Sequence, residues 1–134
     1  MPHKAAPKEL IFFVDRSLGG KLVVEALRAA GAQVIAHDDA MPQDSEDVEW
    51  LAEAGRHNWV VLTKDSAIRR NQHEKKMFRD ARVRVFALAR KDLSGPEMAD
   101  LFANALAGMR KRAITTEPPF VFSISRNGDF KRLD

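Results

Sequence analysis

The chain has 134 residues and no cysteine, which excludes disulfides and thiolate metal sites. A cytoplasmic protein fits that absence. No apolar run approaches the roughly 18–20 residues of a membrane span, and Met1 to Lys8 holds no apolar stretch of signal-peptide length. No repeat or low-complexity tract is present. The four histidines, His3, His37, His57 and His73, lack paired-ligand spacing and read as surface residues. Ser17 and Ser66 lack the Gly-x-Ser-x-Gly frame of a nucleophile elbow. Gly19-Gly20 makes neither a P-loop nor a dinucleotide fingerprint. Serine-nucleophile, nucleotide-cradling and zinc–thiolate chemistries thus have no footing here.

What remains is a soluble domain with an uneven charge distribution. The length suits one domain with a single real core. The net charge of +3 is mild, but its placement is not. Between Gln33 and Gly55 lie Asp38, Asp39, Asp44, Glu46, Asp47, Glu49 and Glu53, with no Lys or Arg. From Lys64 to Lys91, ten Lys or Arg face only Asp65, Glu74 and Asp80. The first segment is suited to hold cations and the second to meet an anionic polymer.

Patterning predicts alternating strands and helices. Leu10 to Asp15, Gln33 to Ala36, Trp59 to Lys64 and Arg82 to Leu88 read as strands, the first and third too apolar to have a wet face. A helix is expected from Ser17 or Leu18 to Ala30, with Leu18, Leu22, Ala26, Ala29 and Ala30 on one face and Gly31 ending it. His37 to Gln43 is expected as a loop. Asp44 or Ser45 can cap a helix to about Arg56 that buries Val48, Leu51, Ala52 and Gly55. Ser66 to Arg79 is expected to be helical, with a second start at Asn71 and Glu74. Ser94 with Glu97 forms a capping box before Met98, Leu101, Phe102, Ala105, Leu106 and Met109, the clearest helical period in the chain. Phe120 to Ser125 and Asp129 to Leu133 read as a hairpin about Asn127-Gly128. The order βαβαβαβα plus hairpin predicts an α/β sandwich with a mainly parallel sheet and helices on both faces. Residues 1–9 are read as a flexible leader, 10–112 as the domain, and 113–134 as a hairpin extension that packs on it or meets a partner.

Three acids carry the functional reading. Asp15 and Asp65 each close a buried strand, and Asp47 opens the helix between them. In open α/β sheets, ligands bind beyond the carboxyl ends of the strands. Acids gathered there repel one another unless a cation lies between them. Each also has a plain structural role available, as a helix cap or first-turn acid. Together they predict a divalent-metal site, with three carboxylates ample for one metal and marginal for two.

The segments Phe12-Phe13-Val14-Asp15-Arg16-Ser17-Leu18-Gly19, Asp44 to Leu51 and Val60-Val61-Leu62-Thr63-Lys64-Asp65 resemble those of PIN-like domains. They are similar to the compact branch that includes the toxins of VapBC-type toxin–antitoxin pairs. The resemblance covers roughly residues 10–92. It implies a three-layer α/β/α fold and an Mg²⁺- or Mn²⁺-dependent ribonuclease that is cytoplasmic, is held by a cognate antitoxin protein and forms homodimers. The family's acids carry over onto Asp15, Asp47 and Asp65, and its supporting hydroxyls onto Ser17 and Thr63. Where the family usually has a fourth acid, Ser66-Ala67-Ile68-Arg69-Arg70 offers none. Asp39, Glu49 and Asp80 are the alternatives, and spacing selects none of them. Arg16, Lys64, Arg69 and Arg70 flank the acids and are expected to contact RNA phosphates. Arg79, Arg82 and Arg84 are weaker candidates, as residues that face solvent. Trp50 and Trp59 are expected at the rim of the core. The competing readings are a catalytically weak or inactive PIN-like module that binds RNA or metal, and a receiver-like signalling domain. The latter wants adjacent acids after the first strand, where this chain has Asp15-Arg16.

Overall fold

The computed structural model describes residues 9–19, 21–40, 47–64, 72–89 and 92–133. They form β1 (Ile11–Val14), a 3-10 turn (Arg16–Leu18), α1 (Leu22–Ala29), β2 (Gln33–Ala36), α2 (His37–Ala40), α3 (Asp47–His57) and β3 (Val60–Lys64). There follow α4 (Gln72–Ala81), β4 (Arg84–Leu88), α5 (Gly95–Thr115), β5 (Phe120–Ile124) and β6 (Phe130–Arg132). The strands make one sheet in the order β2-β1-β3-β4-β5-β6. All neighbours are parallel except β5 and β6, which pair antiparallel.

Two-residue alternation along the strands divides the core into two layers. Phe12, Val14, Val60, Leu62, Phe86 and Leu88 pack with α1 and α5. Phe13, Val61, Val85, Ala87 and Val121 pack with Ala54 of α3, Phe78 of α4 and Trp59. Helices therefore cover both faces, which is why Ile11 to Val14, Val60 to Leu62 and Val85 to Leu88 are unbroken apolar runs. The result is the expected three-layer α/β/α sandwich with a mainly parallel sheet and a C-terminal hairpin. The Trp59 ring stacks flat on Phe13, with centroids 5.4 Å apart. Among the described residues, no helix is long and apolar enough to cross a membrane.

The expected helix from Ser17 or Leu18 to Ala30 is broken in two. Gly19 adopts φ +85°, and its N–H closes the 3-10 turn on the Arg16 carbonyl. Helical phase is then set from Leu22 and not from Leu18, so α1 buries Val23, Val24 and Leu27. Leu22, predicted on the inner face, is 48% exposed, and Ala29 and Ala30 are also exposed.

Other boundaries move for local reasons. His37 to Ala40 is a helical turn where a loop is expected. The strand expected from Arg82 begins at Arg84, because Arg82 takes φ +55° at the end of α4. The proposed caps Asp44, Ser45 and Asn71 lie outside the described residues, as does the start expected at Ser66. The capping box at Ser94 and Glu97 is present, and α5 continues across residue 112 to Thr115. The Asn127-Gly128 turn closes through Gly128 N–H to the Ser125 carbonyl and Ser125 N–H to the Asp129 carbonyl.

Candidate active site

The site is built where β1 and β3 end side by side. Val14 lies opposite Leu62 in parallel register, and the Asp15 N–H extends the ladder by donating to the Leu62 carbonyl at 2.9 Å. By alternation Asp15 continues the Phe13 face, and Thr63 continues that of Val61. Both side chains therefore reach the layer that holds α3 and α4. Asp15 is 7% exposed and Thr63 is fully buried.

Hydroxyl groups hold the Asp15 carboxylate. Its Oδ2 accepts from Ser17 Oγ at 2.7 Å, from Thr63 Oγ1 at 2.8 Å and from the Ser17 N–H at 3.4 Å. The last contact is also the N-cap of the 3-10 turn, so the structural role foreseen for Asp15 is filled as well. Ser17 Oγ accepts from the Lys64 N–H at 3.2 Å. This ties the turn after β1 to the last residue of β3. Every side-chain hydrogen bond to Asp15 among the described residues falls on Oδ2.

The path of α3 brings Asp47 toward this edge. Eleven helical residues span about 16 Å, close to the roughly 16 Å of a five-residue strand such as β3. The helix ends at the amino edge, where Asn58 turns with φ +59° and the Trp59 N–H bonds the Ala54 carbonyl. Its first residue therefore stands at the carboxyl edge. The backbone of Asp47 is described and its side chain is not. Asp65, Arg69 and Arg70 lie outside the described residues. Among those described, no three His, Asp or Glu side chains converge as a metal cluster. Of the expected site residues, Asp15, Ser17 and Thr63 are thus brought into direct contact. Lys64 is half-buried and joins through its backbone, and Arg16 is exposed within the turn.

Three expectations need correction. His37 is 5% exposed and is not a surface residue. It follows β2 at the same edge, on the Phe13 face, with its ring 5.9 Å from that of Phe13. The signal was available: His37 continues the alternation of Ile35, which packs on that face. Arg84 is 1% exposed and does not face solvent. Burial, and then the neighbouring Arg82, lowers its pKa, although a guanidinium stays charged. Arg82 pairs with Glu117 at 2.9 Å and donates to the Pro118 carbonyl. Both arginines belong to the amino edge, at the opposite end of the strands from Asp15.

The donor set fits a hard divalent cation. Oxygen is the only ligand element that the acids and hydroxyls offer, and among the described residues the donors to Asp15 take Oδ2 and leave Oδ1.

A parallel sheet sandwiched between helices, with an anchored acid at its carboxyl edge, defines a class that comparison identifies: residues 10–90 match the family model of the PIN-like domain. The chain belongs to the PIN-like domain family. It is similar to the Mycobacterium tuberculosis (strain ATCC 25618 / H37Rv) protein named "Putative ribonuclease VapC45", at 31% identity over 116 residues, covering 84% of this chain and 83% of that protein. No solved structure matches it significantly.

Proposed function

We propose that the chain is a metal-dependent ribonuclease of the VapC type that hydrolyses RNA phosphodiester bonds at a site formed by Asp15, Asp47 and Asp65. The observation that carries this reading is the Asp15 carboxylate. It is buried at the carboxyl edge of the sheet, with one oxygen held by Ser17 and Thr63 and the other bare of described partners. Burying a carboxylate costs free energy unless hydrogen bonds or a cation offset it. Membership of the PIN-like family and the name of the mycobacterial relative support the same reading.

Asp15, Asp47 and Asp65 would hold Mg²⁺ or Mn²⁺. When bound, the cation supplies Lewis acidity, which makes an attacking water more acidic and offsets charge on the scissile phosphate. Ser17 and Thr63 orient Asp15, so the ligand is positioned before the cation arrives. Arg16, Lys64, Arg69 and Arg70 contact the RNA phosphates and hold the strand across the edge. If they do, RNA affinity falls as salt is raised, and an affinity indifferent to salt contradicts their role.

The expected partner is an antitoxin protein, with a homodimer as the working assembly and the cytoplasm as its location. Residues 113–134 are proposed as a hairpin extension that packs on the domain or meets a partner, and the place of Phe120 and Ile124 in the core supports the packed alternative.

The deciding experiment is RNA cleavage with Mn²⁺ or Mg²⁺ by the wild type and by Asp15→Asn, Asp47→Asn and Asp65→Asn. Loss in all three variants supports the site. Retained cleavage assigns the activity elsewhere. One observation favours a second reading, a module that binds RNA or metal without cutting: no acid occurs among Ser66-Ala67-Ile68-Arg69-Arg70. A wild type that binds RNA and never cleaves it establishes that alternative.

A further inference from the structure

The hydroxyl pair that holds Asp15 does more than restrain it. A hydroxyl has one proton, and both Ser17 and Thr63 direct theirs at the same carboxylate oxygen, Oδ2. The Ser17 and Thr63 oxygens are 3.1 Å apart, close enough to bond each other. With both protons directed at Asp15, that contact is secondary. The Lys64 N–H donates to Ser17 Oγ and occupies a lone pair there. This fixes the side of Ser17 from which its proton can leave. The Ser17 N–H adds a third, longer contact to Oδ2. Thr63 is fully buried and Asp15 nearly so, so water cannot readily replace these donors.

A cation approaching Asp15 therefore meets two unlike oxygens. Among the described residues no side-chain hydrogen bond reaches Oδ1, whereas Oδ2 must shed hydrogen bonds to become a ligand. We infer that Ser17 and Thr63 are specificity-determining positioning residues, which restrict Asp15 to one-oxygen ligation and so favour Mg²⁺ or Mn²⁺ over Ca²⁺. This rests on the reading of Asp15 as a metal ligand. The chemistry is that of cation size. Mg²⁺ takes six ligands in a tight octahedron, uses few carboxylates singly and keeps several waters. Ca²⁺ takes six to eight oxygens and commonly uses both oxygens of a carboxylate. A carboxylate with one oxygen occupied suits the first and handicaps the second.

The test uses the full chain and metal binding in place of turnover. Mn²⁺ binding is followed by electron paramagnetic resonance, with Mg²⁺ and Ca²⁺ as competitors, for the wild type, Ser17→Ala, Thr63→Val, Ser17→Thr and Asp15→Asn. Loss of an orienting partner typically weakens metal affinity about 10–100-fold. In Ser17→Ala and Thr63→Val that loss is expected for Mn²⁺ and Mg²⁺. Ca²⁺ gains easier access to an oxygen that has lost one of its two hydroxyl donors and loses less, so Mg²⁺/Ca²⁺ selectivity falls roughly 10-fold. Ser17→Thr keeps a hydroxyl and retains the wild-type ratio. If one variant does not fold, as judged by circular dichroism, the other carries the test. An unchanged ratio with Mg²⁺ and Ca²⁺ weakened equally overturns the inference and leaves Asp15 as a ligand. Undiminished Mn²⁺ binding by Asp15→Asn, or none by the wild type, overturns both the inference and the reading beneath it.

Discussion

The two edges of the sheet use the same strands and handle charge in opposite ways. At the amino edge the buried charge is a cation, Arg84, which reaches the Asn58 side-chain oxygen, while Arg82 next to it is met by Glu117 and the Pro118 carbonyl. At the carboxyl edge the buried charge is an anion, Asp15, and only one of its two oxygens is taken up by described neighbours. The arginine is met only in part, since its Nε is buried with no hydrogen-bond partner among the described residues, and the carboxylate is met at Oδ2. Under the proposed function, a bound cation separates the two, one a charge used to build the fold and the other kept for a ligand. Position alone does not, since both lie at strand ends.

The largest effect that would break this comparison is on activity. Asp15→Asn keeps an acceptor for Ser17 and Thr63, so the fold is expected to survive with its melting temperature near wild type. RNA cleavage with Mn²⁺ is expected to fall about 10²–10³-fold, the range for losing a preorganised electrostatic group. Arg84→Ala should behave in reverse. It is expected to cost about 2–4 kcal/mol in denaturant unfolding, through lost packing and unmet acceptors, with Mn²⁺ affinity unchanged. If Arg84→Ala weakened Mn²⁺ binding as much as Asp15→Asn, the division between the edges would be wrong.

Next comes the helix that spans both edges. Gly55 of α3 lies against α4 so closely that an added Cβ would overlap the Ala81 carbonyl oxygen. Backbone cannot move aside cheaply, so Gly55→Ala is expected to destabilise by about 1–3 kcal/mol. It should also weaken metal binding, because displacing α3 moves Asp47 at its other end. The smallest effect is at the cap of α5. Ser94→Ala is expected to cost about 1 kcal/mol. The Ser94 backbone N–H, then its hydroxyl, holds the Glu97 carboxyl below its ordinary value of 4.5. A depressed carboxylate stabilises the fold above its unfolded pKa. That contribution is complete above about pH 4.5 and fades as pH falls through the lower folded value. Thermal melts of the wild type and Glu97→Gln should converge as pH drops below 4.5.

The sequence discloses much of this architecture, for identifiable reasons. Strands such as Phe12 to Val14 and Val60 to Leu62 are apolar on both faces, and few structures other than a covered parallel strand use that pattern. The α5 helix carries both a cap and an unbroken period from Met98 to Met109, so its buried face is legible. The α1 face is not, because Gly19 inserts a left-handed residue and resets the phase between Leu18 and Leu22. The four-residue α2 has no room to show a period. Arg84 and His37 mislead because their polar type argues for the surface while strand alternation places them in the core. For the candidate site, Asp15, Ser17 and Thr63 were named from sequence. That both hydroxyls converge on a single oxygen depends on the β1–β3 register, which no local pattern encodes.

The hairpin at the far end of the sheet bears on how copies of this protein can assemble. β6 reverses the direction of an otherwise parallel sheet, so its outer edge and that of β2 are unlike among the described strands. Joining the β2 edge of one copy to the β6 edge of another would be a head-to-tail contact that need not close, the kind that grows into filaments. β6 is a poor template for such growth, with three residues and the exposed charges of Lys131 and Arg132. The hairpin thus ends the sheet on a short, charged strand, which disfavours the addition of further strands there.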